Sequence, residues 1–175
     1  MNNTRLTEKH RFVHAVPLPS PEPVVPPNEL QATLKDLVDA FSVQDIGRIM
    51  SHFAADAEFA DVIGRGQRGT VSRGKEAIEA VFQQQFELLG PHTYENSVTA
   101  VEGNTGFAAW TLVLCPDHPR RIKKFDGIDR FLFRGDGKVI LKQAWIKDHG
   151  RLWRTVLGRG LHLSIGKLAR YSRYR

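Results

Sequence analysis

The chain has 175 residues, a formal charge of +6, 41% hydrophobic residues and only 9% aromatic ones, a size and composition suited to one compact domain with tails rather than two domains. A single cysteine, Cys115, leaves no intramolecular disulfide to form, and no Cys/His spacing fits a zinc site, so a reducing, cytoplasmic setting without a structural metal is expected. No stretch approaches the roughly eighteen apolar residues of a membrane span and the N-terminus lacks the layout of a signal peptide, so a soluble, non-secreted protein is expected.

Residues 1–27 end in Pro17-Leu18-Pro19-Ser20-Pro21-Glu22-Pro23-Val24-Val25-Pro26-Pro27. Repeated proline fixes φ and removes backbone donors, which predicts an extended arm, disordered over 1–27. From Asn28, a candidate N-cap, Leu30, Leu34, Leu37, Val38 and Phe41 recur at three- and four-residue steps, predicting a helix to about Ser42. Asp45 can cap a second helix from Ile46 to Phe53, with Ile46, Ile49, Met50 and Phe53 as its apolar stripe. Ala57 to Val62 reads as a short strand, and Gly64-Arg65-Gly66-Gln67-Arg68-Gly69-Thr70 as a loop next to Asp61. The loop lacks the Gly-Lys-Ser/Thr ending of a phosphate cradle; a flap over a pocket is the alternative to plain loop flexibility. A third helix, Lys75 to Leu89, turns Ile78, Val81, Phe82, Phe86 and Leu89 inward and stops at Gly90-Pro91. Four β-rich runs follow, at 92–101, 106–114, 121–133 and 138–148, separated by turn-forming clusters. Helices first and an antiparallel sheet second predict an α+β domain over 28–149.

Chemistry is suggested by two acids set among apolar neighbours. Asp61 ends His52-Phe53-Ala54-Ala55-Asp56-Ala57-Glu58-Phe59-Ala60-Asp61, and Asp129 lies in Asp126-Gly127-Ile128-Asp129-Arg130-Phe131-Leu132-Phe133. Period two places Asp129, Phe131 and Phe133 on one strand face. A carboxylate facing an apolar interior loses hydration and is tolerated only where something compensates it, which is how a pocket acid or base looks in sequence. The bland readings are an Asp61 that satisfies loop N–H groups and an Asp129 paired with Arg130, Lys123 or backbone.

These two segments, with Arg73-Gly74-Lys75-Glu76-Ala77-Ile78 between them, resemble the SnoaL-like branch of the nuclear transport factor 2-like superfamily, over about residues 30–148. The resemblance implies a cone-shaped fold, cystatin-like, of about three helices packed on a curved sheet around an apolar pocket, and it includes ketosteroid isomerases and polyketide cyclases. Asp61 falls on the isomerase's proton-moving aspartate. Asp129 resembles both the isomerase's hydrogen-bond-donating aspartic acid and the general acid/base of SnoaL-type cyclases; a neutral carboxyl in an apolar wall is a good donor to an enolate. Leu37 stands where the isomerase has its oxyanion tyrosine, and the loss of such a donor typically costs about 10²–10³ in rate, which argues against a fast steroid isomerase. The strand around Trp110 offers no Arg or Asp, unlike the epoxide-hydrolase relatives.

The implied reading is an acid–base isomerase or cyclase acting on a steroid- or polyketide-like carbonyl compound, with Asp61 and Asp129 catalytic, no cofactor, and a substrate wall of Phe53, Phe59, Phe82, Trp110, Phe131 and Phe133. Trp110 can equally fill core. His118, between Pro116 and Pro119, is a candidate proton relay at the pocket mouth, as is His92 more weakly; His52 reads as a surface or rim residue. The rival reading is a non-catalytic module that dimerises through its sheet, as superfamily members often do. Residues 150–175 hold seven Lys or Arg and no Asp or Glu, leaving a formal −1 on the rest. Trp153, Val156, Leu157, Leu161, Ile165 and Leu168 make an apolar helical stripe there, suited to a partner or an anionic membrane surface. With the basic charge confined to this tail, nucleic acid is not expected as a partner of the domain.

Overall fold

The computed structural model describes residues 25–62 and 67–147. The basic tail at 150–175, residues 1–24 of the Pro-rich arm and Gly64 to Gly66 of the glycine-rich stretch lie outside the described residues. Helix α1 (Pro27–Ser42) buries Leu30, Leu34, Leu37 and Ala40. Its N-cap is Pro26 rather than Asn28; Pro27 fits the first helical turn because the N–H it lacks has no intrahelical partner there anyway. Helix α2 (Ile46–Ser51) is capped as expected, the Asp45 carboxylate accepting from the Arg48 N–H at 2.9 Å.

Phe53, expected to close that helix, instead opens strand β1 (Phe53–Ala60), in which Phe53, Ala54, Ala57 and Phe59 are buried and Asp56 exposed. A three-residue strand β2 (Val71–Arg73) pairs antiparallel with β1 and is too short to show a period in sequence. Helix α3 (Lys75–Leu89) has the expected bounds, between Gly74 at φ 85° and Gly90 at φ 63°. Strands β3 (His92–Glu102), β4 (Thr105–Leu114), β5 (Lys123–Phe133) and β6 (Val139–Ile146) follow.

The six strands form one sheet in the order β2-β1-β6-β5-β4-β3. It is mixed, not antiparallel as the sequence suggested, because β1 and β6 pair in parallel; α3 and four strands intervene between them in the chain, and parallel neighbours need such a long crossover. No helix among the described residues is long and apolar enough to cross a membrane.

The main core lies between the helices and one face of the sheet, around Leu34, Phe82, Phe131 and Phe133. Phe82 anchors it, its ring centroid 5.2 Å from Phe41, 5.8 Å from Phe53 and 5.0 Å from Phe59. Leu34 and Phe133 close over Gly106, where a Cβ would stand 2.9 Å and 3.0 Å from them. Leu34→Ala should therefore lower unfolding free energy by about 2–5 kcal/mol, read from denaturant midpoints at unchanged slope.

Candidate functional site

Strand register assembles the polar centre. Asp129 on β5 is opposite Ala108 of β4 and Ala144 of β6, so small side chains flank its carboxylate on both sides. Lys142 on β6 is opposite Phe131, one step along the same face and thus diagonal to Asp129, within reach of a long side chain. Lys142 Nζ lies 3.0 Å from Asp129 Oδ1. The pairing is ionic rather than a well-angled hydrogen bond, since that oxygen has no hydrogen-bond partner among the described residues. The ammonium is also surrounded by phenyl rings, 4.9 Å from the centroid of Phe59, 5.3 Å from Phe41, 5.7 Å from Phe131 and 6.0 Å from Phe82. Ring faces are electronegative and partly replace the water that burial removed.

Asp61 sits just past β1. Its backbone N–H donates to the Thr70 carbonyl at 2.9 Å, and its Oδ2 accepts from Gln85 Nε2 of α3 at 2.9 Å. Asp61, Asp129 and Lys142 are 5%, 8% and 5% exposed, and all three face one cavity of about 130 Å³. A volume near 150 Å³ holds a benzene ring, whereas drug-sized ligands fill roughly 300–1,000 Å³. The cavity suits a single-ring or short-chain ligand.

Tyr94 and Trp110 add donors to the wall. Burial, with the Asp129 charge nearby, pushes the Tyr94 phenol up and keeps it a neutral O–H. A bulge between Glu95 and Val98, with Asn96 at φ 55°, bends β3 where Tyr94 and Ser97 meet the cavity. Trp110 lies flat over Gly127, its cross-strand partner, where a Cβ would meet the indole at 2.2 Å. Its Nε1 has no partner among the described residues. Among the same residues, no group of three or more His, Cys, Asp or Glu is arranged to hold a metal ion.

The structure thus brings Asp61, Asp129, Phe59, Phe82, Trp110 and Phe131 to one cavity. Phe53 and Phe133 lie in the core instead: Phe133 shares the inner face with Asp129 but packs with Leu34 of α1 over Gly106. His118 is exposed in the turn after β4, away from the cavity lining. His92, the weaker relay candidate, begins β3, buried and outside the cavity lining, and His52 Nε2 pairs with Asp36 Oδ2 at 2.7 Å. The partner of Asp129 is neither Arg130 nor Lys123 but Lys142, which sequence reasoning missed along with Tyr94 and Gln85. Period two from Ile140 through Lys142 and Ala144 to Ile146 was the available signal.

The sequence profile of the SnoaL-like domain matches residues 34–141. The chain belongs to the SnoaL-like family. Solved structures with the same fold include a nuclear transport factor 2-like protein of unknown function from Mesorhizobium loti, at 13% identity and TM-score 0.59, covering 70% of this chain and 93% of that one. A Xanthomonas campestris protein of unknown function with a cystatin-like fold matches at 15% identity and TM-score 0.59, again over 70% and 93%. A proposed polyketide cyclase from Xanthomonas campestris pv. campestris matches at 15% identity and TM-score 0.53, over 67% and 90%. At these identities the likeness establishes the SnoaL-like chain's fold alone. No curated protein sequence matches it.

Behind the cavity, His92 Nδ1 lies 2.7 Å from the Gly90 carbonyl, and its Nε2 is buried without a partner among the described residues. Burial holds its imidazole below the ordinary 6.5. The unfolded chain takes up a proton as pH falls through that value while the folded chain resists, so stability is lost below it. Thermal melts between about pH 7 and 5 should show this decline, and His92→Phe should flatten it.

Proposed function

We propose that the protein is an acid–base enzyme of the isomerase or cyclase type, acting on a small hydrophobic carbonyl compound. The observation that carries this is the convergence of two buried carboxylates, Asp61 and Asp129, on one mainly apolar cavity. Asp61, oriented by Gln85, is the proton acceptor: a carboxylate shielded from water is a better base than a solvated one. The role of neutral donor expected of Asp129 is at odds with its ion pair to Lys142. Tyr94 supplies a neutral hydroxyl at the same wall. The cavity volume favours a compact, polyketide-like ring over a four-ring steroid, and proton transfer between carbons of such a ring needs no cofactor.

The test is exchange of α-protons for deuterium in a panel of single-ring ketones, followed by NMR. Asp61→Asn should slow enzyme-dependent exchange by about 10²–10⁴ with an unchanged melting temperature. Equal exchange in the variant would refute the assignment. Asp129→Asn is a poorer probe, because leaving the Lys142 charge uncompensated typically costs about 3–5 kcal/mol of stability.

A dimer formed through the sheet is the second reading, favoured by one cross-strand row. Val98, Ala109, Ile128 and Trp145 are consecutive partners across β3, β4, β5 and β6. Val98, Ile128 and Trp145 are exposed on the face opposite Asp129 and Lys142, a continuous apolar strip of the kind that marks an interaction surface. Light scattering should give the mass of two chains, and Trp145→Glu should reduce it to one; a monomeric parent protein would end this reading.

A further inference from the structure

We propose that Lys142 is a further catalytic residue, the cation that receives the negative charge developing on the substrate oxygen. The inference rests on the reading of Asp61 as the base. When Asp61 takes the α-proton, the C–H electron pair becomes the C=C bond of an enolate and the carbonyl π pair moves onto oxygen. That oxygen needs stabilisation; Leu37 supplies no donor, and the Tyr94 hydroxyl on the cavity wall carries no positive charge to balance it. Lys142 faces the cavity with a buried ammonium, and an ammonium has three N–H donors. Among the described residues its ammonium meets one carboxylate oxygen and four ring faces. The rings attract its charge without filling the directional hydrogen-bond sites that an oxyanion would use.

The charge balance also favours this role. With the Asp129–Lys142 pair neutral as a unit, moving a proton from a neutral ketone to Asp61 leaves the total charge of the site unchanged and only transfers the negative charge from one oxygen to another. The acceptor oxygen then lies near a fixed cation in a water-poor space, where such stabilisation is strongest. Asp129 acts through Lys142, holding the ammonium in place and charged, and is a positioning residue. Ion-paired with Asp129 and ringed by phenyl faces, Lys142 serves as a cation and not as an imine-forming nucleophile.

A nitrophenol is the probe, since it is a single ring whose ionised oxygen resembles an enolate and whose absorbance reports ionisation directly. Titrated with the full-length protein, bound para-nitrophenol should ionise at a pH lower than the free phenol, with the phenolate bound about 100-fold more tightly than the phenol. The double variant Lys142→Met, Asp129→Asn removes both charges together, which avoids stranding either one. It should still bind the neutral phenol and should lose the phenolate preference. A wild-type protein that binds para-nitrophenol with no preference for the ionised form overturns the role of Lys142 without recourse to any variant and leaves the Asp61 exchange test untouched. A double variant that keeps the preference does the same, as does a ketone adduct trapped on Lys142 by borohydride. Absence of any nitrophenol binding would overturn both this role and the pocket reading beneath it.

Discussion

A primary ammonium held inside a shell of phenylalanines is the arrangement around which this domain is organised. Lys142 cannot be buried there without its carboxylate partner: the desolvation of an unpaired charge would outweigh what the surrounding rings return. Asp129 must therefore reach it, and it does so between two alanines, Ala108 and Ala144. The cage in turn draws one ring from each of four elements, Phe41 of α1, Phe59 of β1, Phe82 of α3 and Phe131 of β5. Helix placement, strand register and side-chain size all answer to this one charge.

The apolar walls and the polar centre are coupled through the same residues. Phe59, Phe82 and Phe131 pack the core and also border the cavity, so the chamber is the part of the core left unfilled above the sheet. Toward Gly106, Leu34 and Phe133 close that space; toward Gly127 the indole of Trp110 lies flat and leaves room. The resulting volume decides what kind of molecule fits, and the oxygen-bearing groups decide what can happen to it.

The helices and most strand ends were legible in the sequence because they rest on local signals: α3 spans the expected residues, and Asp45 caps α2 as its position suggested. The same local reading failed where a long-range partner decides. Phe53 continues the helical stripe of α2 in one dimension, yet it is drawn into β1, where it pairs with Val139. The parallel pairing of β1 with β6 leaves no local mark. Asp61, Asp129 and four of the ring positions were visible as polar or aromatic residues in an apolar context. Lys142 was hidden because β6 inverts the usual pattern: Trp145 is exposed while the lysine two strand positions from the inward Ala144 is buried. Polarity alone assigns those two residues to the wrong faces; the period-two row of Ile140, Lys142, Ala144 and Ile146 points the other way, and the ladder to β5 bears it out.

The placement of β6 bears on how the chain acquires its shape during synthesis. This strand is the last in sequence among the described elements yet lies in the interior of the sheet, between β1 and β5. A nascent polypeptide that has emerged only as far as the β5 hairpin holds two separated halves, with β1 and β2 on one side and β3 to β5 on the other. Contacts of such long sequence separation form slowly because loop closure must precede any gain. Insertion of eight late residues joins the halves, so translation must run almost through the whole domain before the ammonium arrives to neutralise a carboxylate that the earlier strands have already laid down.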